Sequence, residues 1–185
     1  PQVLSVSEPS RERPFTAPAE CPSCQHALTR FEGEVALRCP NRLACRSQLE
    51  WSVSFFAVRG QMNIEELGFK HGAQLIAEGL IADVADIFAL EEERVAELKG
   101  FGKKSAKKLL KGIERATREA TLSRLLAGLG IRNVGSVAAK ILAARFLRLD
   151  ALLDHLDADG AEAVVEVASA IDLIGPVIAK SVADF

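Results

Sequence analysis

The chain has 185 residues, a formal net charge of −2 and a 49% hydrophobic composition, enough to bury a core. No apolar run reaches the ~20 residues of a membrane span, and the opening PQVLSVSEPSRERPF lacks the basic-then-apolar order of a signal peptide. Neither a Walker-type phosphate loop nor a nucleophile elbow occurs. These readings predict a cytoplasmic protein with no membrane partner.

Residues 1–20 carry Pro1, Pro9, Pro14 and Pro18 and are otherwise mostly polar, so they read as a linker, with PQVLSV as the end of a strand. The chain starts without Met and stops inside an apolar helical pattern, which reads as a piece of something longer. Residues 21–54 hold all four cysteines, as Cys21-x2-Cys24 and Cys39-x5-Cys45. Two short pairs around a longer loop suit a tetrahedral four-thiolate zinc site. Pro22 and Pro40 help turn the chain, and residues 28–38 predict a short hairpin turning near Gly33. The alternatives are two disulfides, which need an oxidising compartment, or four unrelated thiols. His26 is a bystander beside four cysteines. Four protein ligands leave no open position, so the zinc is expected to be structural.

Residues 55–185 are strongly helical, with apolar residues at spacings of three and four. Four glycines, Gly68, Gly102, Gly135 and Gly175, anchor a repeat at intervals of 34, 33 and 40 residues. Each is preceded by an apolar residue (Leu67, Phe101, Val134, Ile174). Four residues later stands a small one (Gly72, Ala106, Ala139, Ala179), and seven later an apolar one (Leu75, Leu109, Leu142, Val182). The template reads as helix, tight hairpin, helix. The glycine is expected to supply a positive φ, the apolar neighbour to pin the turn, and the small residue to let helices approach. Hairpin amides beside a helix N-terminus make a ready anion site.

The template resembles the helix-hairpin-helix motif, which binds DNA backbone phosphate. The second copy, LKGFGKKSAKKLL, is the best match, with Gly100, Gly102, Lys103, Lys104 and Lys107. Between Lys99 and Arg118 stand eight Lys/Arg and one acid, Glu114, a local charge that the neutral total hides. The third copy offers Arg132, Asn133, Gly135 and Lys140, and the fourth Gly175 and Lys180. Glu66 and Leu173 depart from the first hairpin glycine in copies one and four, which are therefore expected to be more structural. The acidic stretch 150–172 reads as a solvated face. Trp51, the one Trp in a chain without Tyr, is expected to pack the zinc module on the helices, and base stacking on aromatics is not expected.

The order of these parts resembles the C-terminal half of a bacterial NAD-dependent DNA ligase. CPSC, CPNRLAC and Gln48 match that family's zinc finger. FFAVRGQMNIEELG, DIFALEEERVAELKGFGKKSAKKLLKGIE and LLAGLGIRNVGSVAAKILA match its hairpin units. Arg46-Ser47 replaces a usual Pro-Ala, and Phe55 a usual His. The resemblance implies a mainly α fold, with a four-cysteine zinc finger followed by four helix-hairpin-helix units. It implies nick sealing in replication and repair by a longer enzyme, with NAD and Mg2+ engaged only through adenylation and OB-fold domains that this chain lacks. The adenylated Lys-x-Asp-Gly motif does not occur in the chain, nor does the family's usual BRCT domain. The chain alone is thus expected to bind duplex DNA, with a nicked duplex as the partner the resemblance implies, without sealing it. The residues by themselves also admit a non-enzymatic helix-hairpin-helix scaffold of DNA repair.

Overall fold

A computed structural model of the chain describes residues 16–31, 34–42, 44–154, 165 and 174–185. The expected strand at PQVLSV, the tip of the hairpin at Gly33, Leu173 and most of the acidic stretch lie outside these residues. Two compact units divide between Cys45 and Arg46. Helix α1, Arg46–Ala57, runs unbroken across the expected boundary at 54/55 and belongs to the helical unit.

The first unit is small. Strands β1 (Thr29–Arg30) and β2 (Leu37–Arg38) pair antiparallel, with Thr29 opposite Arg38 and Arg30 opposite Leu37. Two-residue strands with exposed side chains bury almost nothing, so this unit needs something other than a core to hold it.

The second unit is built from α1, α2 (Phe69–Ala77), a 3-10 turn (Val84–Ala89), α3 (Glu92–Ala96), α4 (Lys103–Glu119), α5 (Leu122–Gly128), α6 (Ser136–Phe146) and a last helix, Pro176–Ala183. Residues 149–154 are also helical. Helix α4 is the clearest case of sequence dictating structure. Lys, Ala, Leu, Glu and Arg favour a helix, and Ala106, Leu109, Ile113 and Ala116 fall on one buried stripe. Among the described residues no helix is long and apolar enough to cross a membrane.

Two cores form. One gathers Val53, Phe56, Leu67, Leu75, Ile87, Val95, Leu109 and their neighbours from α1 to α4. The other gathers Leu126, Val134, Ala139, Leu142, Ile174 and Val182. Leu129, at the end of α5, packs against both. Every apolar and small position of the repeat is buried: Leu67, Phe101, Val134 and Ile174 before the glycines, and Leu75, Leu109, Leu142 and Val182 after them. Each side chain of that size contributes about 1.5–3 kcal/mol when buried, so the repeat is what assembles the unit.

Candidate metal centre and nucleic-acid interface

Cys21 and Cys24 sit on a tight knuckle. The amide of Gln25 donates to the Cys21 carbonyl and that of Cys21 to the His26 carbonyl, both at 2.8 Å. Gln25 takes a positive φ of 58° to close it. Cys39 follows β2, and Cys45 closes a second turn through its amide to the Asn41 carbonyl at 2.7 Å. The four sulfurs lie within 4.8 Å of one another. Cys21 and Cys45 are 3.9 Å apart and Cys24 and Cys39 3.5 Å, far beyond a disulfide bond. Zinc at ~2.3 Å from each of four tetrahedral sulfurs sets them about 3.8 Å apart, so the cluster fits the ion. All four cysteines are free thiols, and the disulfide alternative fails. His26 is exposed and stands outside the cluster. Its backbone amide, however, donates to Cys24 and holds that thiol below its ordinary pKa, while desolvation pushes Cys39 up to about 12. A cation bound by all four would compensate the charge of thiolates held this closely, and the geometry suits a structural zinc ion.

The hairpins depart from expectation in one informative way. Gly68, Gly102, Gly135 and Gly175 are helix N-caps with φ of −82°, −136°, −86° and −76°. None has the expected positive φ. The left-handed residue stands two places earlier: Glu66 at 67°, Gly100 at 90° and Asn133 at 62°. The turns Leu98–Phe101 and Ile131–Val134 each close with an amide-to-carbonyl bond of 3.0 Å. A positive φ at the third residue of such a turn is the arrangement of type II. Gly100 and Asn133 suit it, while Glu66 is a costlier occupant.

What then needs glycine at the four caps? A Cβ at Gly68, Gly102, Gly135 or Gly175 would meet nothing within 4 Å. Neither backbone conformation nor internal packing demands it. The first-turn amides of the helices after Gly68, Gly102 and Gly135 have no partner earlier in their own helix; after Gly175, Pro176 has no N–H and the Ile178 amide donates to the Gly175 carbonyl at 3.0 Å. At hairpin two, Ser105 Oγ accepts from the Gly102 amide at 3.0 Å and donates to the Gly102 carbonyl at 3.1 Å, fixing the cap. Sequence reading missed this role of Ser105, though its position three residues into the helix is that of a capping partner.

Lys103, Lys104 and Lys107 are exposed beyond hairpin two, and among the described residues none makes an ion pair. Lys108 is different, bonded to the Glu66 carboxylate at 3.2 Å. Arg132 and Lys140 are exposed at hairpin three, where Asn133 Nδ2 donates to Ser181 Oγ of the last helix at 2.9 Å. Hairpins three and four are thereby tied together. Lys180 is exposed and paired with Asp184 at 3.6 Å. Trp51 is not buried as expected: it is 64% exposed and lies against Phe69, ring centroids 4.9 Å apart.

Residues 20–46 match the family model described as the NAD-dependent DNA ligase C4 zinc finger domain, and residues 124–185 the helix-hairpin-helix motif. The chain is 41% identical over 183 residues to a DNA ligase of Frankia casuarinae, covering 99% of this chain and 24% of that protein. It is 44% identical over 174 residues to a DNA ligase of Chloroflexus aurantiacus, covering 94% of this chain and 23% of that protein. With a DNA ligase of Shouchella clausii it shares 43% over 183 residues, 99% of this chain and 26% of the other. The chain thus spans about a quarter of the length of these curated relatives.

Proposed function

We propose that this chain, which carries the C4 zinc finger of the NAD-dependent DNA ligases followed by a helix-hairpin-helix domain, is the DNA-gripping part of such a ligase. The observation that carries the reading is the set of four open glycine caps. Glycine there answers to no φ and to no internal neighbour. Its use is to let something outside come close to the backbone, and first-turn amides favour an anion. At hairpin two that anion meets Lys103, Lys104 and Lys107; at hairpin three Arg132, Asn133, Gly135 and Lys140 take the corresponding places; at the fourth, Gly175 and Lys180.

The ligand is duplex DNA held by its phosphates, which fix position without reading sequence. Nick sealing, with its NAD and Mg2+, belongs to the adenylation and OB-fold parts of a longer enzyme. This chain has no Lys-x-Asp-Gly motif to receive AMP and is inactive alone. Zinc braces the small unit.

The test is a titration of the chain against nicked and intact duplexes at several salt concentrations. Binding that ignores base sequence and falls linearly in log–log with salt is the expected result, with tighter binding to the nick as the ligase-specific outcome. A chain with zinc bound and helices intact that ignores DNA at low salt contradicts the proposal.

A further inference from the structure

We infer that Trp51 and Phe69 form an apolar contact with the groove wall of the same DNA, so that hairpin one grips by surface rather than by charge; this rests on the DNA-binding reading above. Trp51 and Phe69 pack at 4.9 Å with rings inclined by 48°, and both remain substantially exposed. Phe69 is the first helical residue after Gly68, the place that Lys103 holds after Gly102. It therefore stands where the repeat puts a ligand-facing side chain.

Hairpin two is a neighbour of α2, reached from the side of the helix opposite Phe69. His71 of α2 lies 4.4 Å from Phe101, ring to ring, and Gln74 Nε2 donates to the Lys99 carbonyl at 2.6 Å. The start of α2 and the lysine-bearing hairpin are thus neighbours. Along α1, Trp51 and Phe55 share the outward face one turn apart and are both exposed, as is Val58 just past the helix end. The far end of this stripe reaches the approach to hairpin three, where a Cβ on Gly130 would lie 3.9 Å from Phe55. Exposed apolar side chains therefore extend from hairpin one toward hairpin three.

Charge explains why apolar surface takes over at this hairpin. Glu66 occupies the left-handed position, and its carboxylate holds Lys108 at 3.2 Å. Gly68 is followed by Phe69 and Lys70, where Gly102 is followed by two lysines. Sugars and base edges, which are apolar in part, suit two aromatic rings; contacts of this kind support groove binding in other architectures.

Trp51 is the sole Trp, so its fluorescence reports this place alone. DNA is expected to quench or shift that emission in step with binding measured on a labelled duplex. Trp51→Ala is expected to weaken binding about three- to tenfold while leaving the slope of log affinity against log salt unchanged, because no phosphate contact is lost. Trp51→Phe should restore most of the affinity. If the chain binds DNA with the expected salt slope while Trp51 emission stays still and Trp51→Ala binds as well as the unsubstituted chain, the inference is overturned and the hairpin reading survives. If the chain binds no DNA at low salt, both fall.

Discussion

Glu66 and Gly100 hold equivalent positions, with φ of 67° and 90°, and Gly68 and Gly102 follow as equally open extended caps. Leu67 and Phe101 are both buried, as are Leu75 and Leu109. The two hairpins share a scaffold. Their outer faces differ: Lys103 and Lys104 follow Gly102, whereas Phe69 and Lys70 follow Gly68. Hairpin one also spends its carboxylate on Lys108, while Arg115 of α4 reaches Glu65 at 3.0 Å. A Cβ on Gly112 would come within 3.2 Å of the Glu65 backbone. Hairpin one is therefore partly a docking site for α4, and hairpin two is free to face a ligand. The buried positions of the repeat specify the fold, and the exposed ones decide what each copy does.

The broadest test of this separation removes the metal. Chelation is expected to unfold the small unit, whose zinc is worth on the order of 10 kcal/mol in comparable modules, and to leave the helical circular dichroism nearly intact. Because thiols must lose protons to bind, zinc should also leave more readily as pH falls. Loss of the whole helical signal on chelation would show that both hairpins depend on the metal. Next in size come Leu75→Ala and Leu109→Ala. Each leaves a cavity in the same core and is expected to cost about 2–5 kcal/mol in urea unfolding. A large difference between them would deny the shared scaffold. Glu66→Gly removes a strained left-handed residue and the pair to Lys108. It should stabilise the chain by roughly 1 kcal/mol and raise DNA affinity by making hairpin one more like hairpin two. Lys103→Ala is the smallest change: a few-fold loss of affinity and a salt slope shallower by about one.

The sequence carried most of the scaffold. The template of apolar, glycine, small and apolar residues marked Leu67, Phe101, Leu109 and Leu142 as core, and they are buried. The cysteine spacing marked a cluster that the structure closes to within 4.8 Å. The backbone of the hairpin was less legible. Glycine is the conspicuous letter of the repeat, so positive φ was expected at the aligned glycine, yet Glu66 and Asn133 share the left-handed position with Gly100. Turn closure at that place overrides local preference, and three different letters hide it. Trp51 was expected to pack the zinc module on the helices because a lone large aromatic residue is usually covered, yet it is exposed. Helix α1 has two apolar faces, and only the one with Leu49, Val53 and Phe56 is buried. Periodicity alone does not say which of two faces the fold will cover.

The central claim is that an open glycine cap is kept for a phosphate outside the protein. The most direct measurement compares Gly102→Val with Gly68→Val, each followed by thermal unfolding and by DNA titration at fixed salt. Both should remain folded, with losses of about 1 kcal/mol or less from the poorer cap, because a Cβ meets open space at either position. Gly102→Val should then lose at least tenfold in DNA affinity, more than any single lysine change, and Gly68→Val less, because hairpin one lacks the paired lysines that follow Gly102. A folded Gly102→Val variant that binds DNA as tightly as the unsubstituted chain would contradict the account.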